Sequence, residues 1–362
     1  MDLALDDSQQ MLVDTLADML DRECPTDHVR ACESTGFSPE LWERYCDLGA
    51  HVMGLPLAVG GLGMGLLDLG LIAAGSGRAL APVPFLETSV AGRLLARAVE
   101  HGACHAALDA IAEGHPSVSI ALPISTGASR RSRSQATRTL VPFGAIAEHV
   151  VTMIGDELCV VSDAKNRRGH RVHDLGAGCL ARWSLSPGED VQVLSAGEAA
   201  GKGMDRAHAE WKLLAAFWLV GIAQTALEIA SRYARERIQF GVPVGSFQSI
   251  AHPLAECAIR TDGAELLALE AAWSDEAEPE RFAVLSSMAF AWASQTALMT
   301  TGVALHTHGG YGVSVEYDIQ LFYRRARALA SMGGGDGAAL SAIADEIDRN
   351  PSSLPFEAQR GR

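Results

Sequence analysis

Large aromatic rings are scarce in this chain: Phe, Trp and Tyr make up 6% of 362 residues. A core with few rings packs its elements closely through small side chains, and the abundant alanine therefore predicts a mainly helical protein. Positive charge is also short, with 29 Lys and Arg against 44 Asp and Glu and a formal net charge of -15. Neutralising a phosphate backbone requires a basic face, so nucleic acid is not expected as a partner. The one basic run, SRRSRS at residues 129–134, sits among Ser and Thr and reads as a solvated loop. No CxxC pair occurs among Cys24, Cys32, Cys46, Cys104, Cys159, Cys179 and Cys257. Such scattered spacing gives neither a zinc site nor a disulfide framework, and fits reduced thiols in a cytoplasmic protein. The opening MDLALDDSQQ is acidic and lacks the basic stretch of a secretory signal. Residues 282–315 hold no Asp, Glu, Lys or Arg, but Ser and Thr recur through them and Gly309-Gly310 interrupt them. That pattern predicts a helix buried in a bundle and no membrane span.

What is present is the composition of an ordinary folded protein, 48% hydrophobic and 20% charged, long enough for two or three modules. Helical spacing runs through Leu12, Leu16, Met19 and Leu20, and again through Phe37, Leu41, Trp42, Tyr45 and Leu48 after a Ser38-Pro39-Glu40 start. The glycines at 60, 61, 63 and 65 lack GxGxxG spacing and a preceding strand, so they predict a loop between helices. Between about residues 117 and 194 the runs become short and β-prone: SVSIAL, TRTLVPF, HVVTMI, ELCVVSD and VQVL. Long helices then return, the first with an apolar stripe from Leu214 to Tyr233 and small residues for close packing. The expected organisation is a helical domain over 1–115, a small antiparallel β domain over 116–202, a four-helix bundle over 203–350 and a polar tail over 351–362. No internal repeat is visible.

One corner concentrates chemistry. In SRYARERIQFGVPVGSFQS, residues 231–249, Arg237 and Phe240 stand three apart, a spacing that on a helix shares one face. Gly241 is expected to end that helix, and Pro243 and Gly245 to shape a turn before Phe247-Gln248. A permanent cation, a ring that can stack and an amide suit a nucleotide cofactor. A second stretch, LHTHGGYGVSVEYDIQLFYRRARAL, carries Gly309, Gly310 and Gly312 in a turn whose backbone amides a ligand can approach closely.

YARERIQFGVPVGSFQ resembles the signature of the acyl-CoA dehydrogenase family, most strongly over residues 215–330, moderately over 1–90 and weakly across the β region. The resemblance implies that family's fold: N-terminal helical domain, middle β-barrel-like domain and C-terminal four-helix bundle. It implies FAD as cofactor, with Arg237 pairing with the pyrophosphate, Phe240 packing near the adenine and Gln248 binding its polar edge across a subunit interface, and with Phe247 among the cofactor-binding residues. Gly309 and Gly310 look like the family's Gly-Gly-x-Gly turn, with His306 where a Gln is common. The implied partners are an acyl-CoA substrate, a homologous acyl-CoA dehydrogenase subunit in a hetero- or homotetramer, and electron-transfer flavoprotein or a similar electron acceptor.

The catalytic base is the departure. In the family a glutamate takes the α-proton of an acyl thioester, and alignment through Arg324 and Ala326 puts Gly333 at its commonest position. The alternative position, counted back from Phe240, is Trp211. Glu210 is its neighbour, but one step along a helix turns a side chain by about 100°; Asp336 is a further candidate. The family's flavin-covering Thr-Glu-Pro and Lys-x-Trp-Ile wording is absent as well. The catalytic residue is thus left unassigned. The resemblance is closest to paired actinobacterial dehydrogenases, some acting on steroid side-chain thioesters, and implies the base-lacking subunit of such a complex. Two alternatives stay open: a homotetramer with a relocated base, and a flavin-free structural homologue.

Overall fold

A computed structural model describes residues 4–99, 106–122, 137–163, 168–188 and 190–349. The basic run 129–134, Cys104 and the tail 351–362 lie outside them. The first elements are α1 (Asp7–Glu23), α2 (Thr26–Ala31), α3 (Pro39–Asp47), α4 (Leu66–Ala79), α5 (Phe85–Val99) and α6 (Ala106–Ala112). Seven strands follow: β1 (Val118–Ala121), β2 (Thr137–Val141), β3 (His149–Ile154), β4 (Glu157–Ser162), β5 (Arg168–Arg171), β6 (Ala181–Leu185) and β7 (Val191–Ala196). Next come α7 (Gly197–Glu236), a hairpin of β8 (Ile238–Gln239) and β9 (Val242–Pro243), and the helices α8 (Gln248–Ala277), α9 (Phe282–His308), α10 (Ile319–Met332) and α11 (Gly335–Arg349). The chain divides into two compact units, one of Met1–Asp27, Gly70–Ala81 and Lys212–Arg362, the other of His28–Leu69 and Pro82–Trp211.

The second unit holds both larger sheets. One has strand order β1-β3-β4-β7, in which β1 runs parallel to β3 and the other pairs are antiparallel; the second is antiparallel with order β2-β6-β5. Both contribute to a core of Val141, Val150, Val161, Ala181 and Trp183. The Trp183 indole donates to the Gly144 carbonyl at 2.9 Å, so the ring is buried with its one polar atom satisfied. β5 and β6 were not among the sequence-predicted runs, because RGHR and ARWSL are short and polar. In β6 only alternate residues are fully buried, a single apolar face that a five-residue run barely registers.

In the first unit the predicted close helix packing has a concrete form. A Cβ on Gly77 would fall 2.0 Å from the Trp218 carbonyl oxygen, and one on Gly221 the same distance from that of Ala74. The backbones of α4 and α7 therefore touch, and glycine is the residue that allows it. α9 is apolar nearly all round, with Phe282, Phe290 and the hydroxyl-bearing Thr301 all buried. The Thr301 hydroxyl donates back to the Ala297 carbonyl at 2.6 Å, which satisfies it inside the core. Both α7 and α9 are long and apolar enough to cross a membrane, and 67% of each apolar window is buried within the fold. α11 is one helix more than the four expected after the β region. α8 begins at Gln248 and carries Pro253 inside.

Candidate functional site

The predicted helix through Arg237 and Phe240 stops earlier than the sequence implied. α7 ends at Glu236; the Arg237 amide still donates to the Tyr233 carbonyl at 2.8 Å, and the Arg237 carbonyl accepts from the Val244 amide at 2.8 Å. Between those anchors Ile238 pairs with Pro243 and Gln239 with Val242. The two residues joining the strands, Phe240 and Gly241, have φ of 54° and 84°. Positive φ at both positions is the backbone of the tight hairpin turn that follows the right-handed twist of its strands. Phe240 and Arg237 thus share a hairpin rather than a helix face, because strand pairing replaces the last helical turn.

A phenylalanine in the left-handed region is strained, commonly by about 1–3 kcal/mol. Phe240 is moreover 93% exposed, and its ring meets the edge of Phe247, 6.1 Å away at 86°. Phe247 precedes α8, and Gln248 opens that helix with its side chain exposed. Arg237 is exposed, and no carboxylate pairs with it among the described residues. A strained, solvent-facing aromatic and an exposed cation thus stand on one hairpin.

The second signature lies in the same unit. α9 ends at His308, and Gly309 turns the chain with φ of 61°. Cβ atoms placed on Gly309 or Gly310 would meet nothing within 4 Å, whereas one on Gly312 would sit 2.5 Å from the Leu305 carbonyl oxygen. The first two glycines leave their backbone open to a ligand and the third is demanded by packing. His306 and His308 part company. His306 is exposed and lines a cavity of about 450 Å³ with Ser249, Ile250, Pro253, Tyr323 and Arg327. His308 is buried, Nδ1 against the Ala304 carbonyl at 2.7 Å, and burial lowers its pKa. The two signature stretches meet through Arg237, whose guanidinium lies over the Tyr311 ring at 5.9 Å.

The acid candidates are decided by their surroundings. Glu210 is fully buried, with Arg97 Nη1 and Arg206 Nε each 2.9 Å from its carboxylate and Arg93 Nε at 3.3 Å. Burial alone pushes a carboxyl up, but the three guanidiniums outweigh it and hold this one at about 2. So firmly ionised and occupied a carboxylate is a poor proton acceptor at neutral pH, and Glu210 reads as a structural anchor between α5 and α7. At Gly333 a Cβ would fall 2.3 Å from both Cε1 and Cζ of the buried Phe290 ring. Any side chain at position 333 would therefore have to displace the Phe290 ring. Asp336 falls in α11, with its side chain outside the described residues.

Position 211 holds a buried indole that donates to the carboxyl of Glu87. Glu87, in the first turn of α5, is 3% exposed, and burial pushes its carboxyl up to about 7. Sequence reasoning missed Glu87, although an acid inside the apolar run APVPFLETSV was a visible signal. It also missed Phe290, Tyr317 and Arg327, whose roles depend on neighbours far away in the chain.

Comparison with known proteins fits this arrangement. Residues 6–115 match the family model of the acyl-CoA dehydrogenase N-terminal domain, and residues 206–347 that of the C-terminal domain. The acyl-CoA dehydrogenase FadE27 of Mycobacterium tuberculosis is 27% identical over 383 aligned positions, covering 94% of this chain and 96% of the relative. Among solved structures, the ChsE4-ChsE5 complex from Mycobacterium tuberculosis matches with a TM-score of 0.83 at 23% identity, over 97% of this chain and 100% of that one. The Tcur3481-Tcur3483 steroid ACAD G363A variant matches with a TM-score of 0.84 at 24% identity, over 96% and 99%. With both terminal domain models matched and the fold shared along nearly the whole length, the chain belongs to the acyl-CoA dehydrogenase family, whose members are FAD-dependent oxidoreductases.

Proposed function

We propose that the chain is one subunit of a heteromeric FAD-dependent acyl-CoA dehydrogenase, the subunit that does not supply the base. The observation that carries this reading is Gly333, where the buried Phe290 ring occupies the space of any side chain. An enzyme of this family needs an acid within reach of the thioester α-carbon. On this reading the acid comes from a homologous partner.

Support for the cofactor half comes from the fit of the exposed corner. FAD, when bound, supplies the hydride acceptor in this family's α,β-dehydrogenation. Arg237 offers a diphosphate a guanidinium fork. Phe240 and Phe247 offer an adenine two ring surfaces, and Gln248 and His306 offer hydrogen-bonding edges. Gly309 and Gly310 leave backbone amides approachable. Arg237, Phe240 and Gln248 are exposed on the first unit, which suits a cofactor seated mainly on a neighbouring subunit. They would bind and orient it, and the Phe240 and Phe247 rings would shield its adenine from water.

The substrate class we infer is a bulky acyl-CoA thioester such as a steroid side chain, since one similar structure is described as a steroid ACAD and another as a two-component ChsE4-ChsE5 complex. Electrons would pass on to electron-transfer flavoprotein or a similar acceptor, and the six described cysteines, all free thiols, suit a cytoplasmic setting.

One residue favours a second reading, an enzyme that carries its own displaced base. Glu87 is a buried acid tuned near neutrality beside the alternative base position. Purifying the chain alone and with homologous chains encoded beside it, then measuring flavin content and thioester-dependent dye reduction, separates the two. The heteromer reading expects flavin and turnover only in the pair. Full activity of the lone chain would refute it, and loss of that activity in Glu87→Gln with flavin retained would establish the second reading.

A further inference from the structure

The cation of the cofactor corner is backed by a chain of rings that starts in the last turn of α7 and ends at Arg237, the residue just beyond that helix. Tyr233, in the last turn of α7, stacks on His308 with centroids 4.2 Å apart and planes at 29°. His308 meets Tyr317 edge-on at 6.3 Å, and Tyr317 packs against Tyr311 at 5.3 Å. Tyr311 in turn lies beneath the guanidinium of Arg237, one helical turn beyond Tyr233. Four rings thus connect position 233 with position 237 through the end of α9 and the turn after it.

We propose that Tyr311 is a positioning residue for Arg237: it pre-orients the guanidinium toward the diphosphate of a nucleotide cofactor, and Tyr317 and His308 in turn hold Tyr311. The inference rests on the reading of Arg237 as a cofactor ligand. An exposed arginine samples many rotamers, and clamping a diphosphate costs that freedom. A ring that already holds the flat guanidinium reduces the loss while leaving its outward edge free to donate. Two features fit this role better than simple packing. Tyr311 is 51% exposed, so its ring does not build core. His308 has its ring buried and Nδ1 turned to the Ala304 carbonyl, and burial disfavours its protonation, so this ring adds no positive charge behind Arg237.

The test is FAD titration, read by quenching of flavin fluorescence, of the chain assembled with its homologous partner. The variants are Arg237→Ala, Tyr311→Leu, Tyr311→Phe and the double variant R237A/Y311L, with melting temperatures as a check on folding. Tyr311→Leu should weaken FAD binding by about two- to five-fold, the range of an exposed cation–π contact. Tyr311→Phe should match the wild type, and Tyr311→Leu should have no further effect once Arg237 is alanine, a coupling that a purely structural ring does not produce. Tyr317→Leu, which removes the ring backing Tyr311, is a second variant expected to act in the same direction should Tyr311→Leu not fold. If Arg237→Ala loses FAD while Tyr311→Leu keeps wild-type affinity, or if the two losses simply add, the positioning role is overturned and the reading of Arg237 stands. If Arg237→Ala binds FAD as the wild type does, the cofactor reading of this corner falls and the positioning role with it.

Discussion

Replacing Glu87 by Gln makes the sharpest test of how this core handles charge. Glu87 is buried, accepts from the Trp211 indole, and titrates at about 7 instead of the ordinary 4.5. Because the folded pKa is raised, the folded state holds its proton where the unfolded chain has released it. The wild type is therefore most stable below about pH 4.5 with respect to this group, loses stability steadily up to about pH 7, and stays at the lower level above that. At about 1.36 kcal/mol for each tenfold in proton affinity, the gap sets an upper value of about 3 kcal/mol. Glutamine keeps the shape and the acceptor for the indole but cannot ionise, so Glu87→Gln should resemble the wild type at pH 5 and exceed it by up to about 3 kcal/mol at pH 8. Urea unfolding of both proteins at half-unit steps from pH 5 to pH 8, followed by circular dichroism, measures this difference. A difference that does not change with pH, or a variant less stable than the wild type throughout, would refute the reasoning.

Glu210→Ala removes the carboxylate that three guanidiniums surround and should cost about 3 kcal/mol, seen as a lower urea midpoint; an unchanged midpoint would show that the arginines find other partners. Gly333→Glu, which restores the family's acid on paper, should instead drive a side chain into Phe290, lower stability by about 1–3 kcal/mol and yield no dehydrogenase activity in the lone chain. Wild-type melting together with new thioester-dependent dye reduction would contradict this. Phe240→Asn creates the Asn-Gly pair that such hairpins favour and should raise stability by about 1 kcal/mol while lowering the flavin retained by the assembled complex. Undiminished flavin would mean that the Phe240 ring does not contact the cofactor.

Much of the fold was legible because it rests on local rules. Ser38 with Pro39 announced the start of α3, and in the structure Ser38 Oγ accepts from the Leu41 amide at 3.2 Å. The charge-free run after Arg281 became a buried helix, as its hydroxyl-bearing residues suggested. The stripe through Leu214 and Phe217 is core, with glycines where the helices touch. β5 and β6 were not legible, since a short polar strand declares itself only through the partner it pairs with. The end of α7 at Glu236 was missed for the same reason: the sequence places Gly241 as a stop, but the pairing of Ile238 with Pro243 takes the chain out of the helix sooner.

Sequence alone determined that this is a mainly helical acyl-CoA dehydrogenase relative carrying Arg237, Phe240, Gln248 and the 309–312 glycine turn, and lacking an acid at 333. Those are matters of residue identity and short-range spacing. Tertiary structure decided what the surrounding residues make of them. Two neighbours on one helix illustrate the division. Glu210 is clamped by three arginines and held near 2, whereas Trp211, one step along, touches an acid raised to about 7 from an element more than a hundred residues earlier. A carboxyl group's readiness to take a proton depends on burial and on the charges within a few ångströms, and neither is set until distant segments meet.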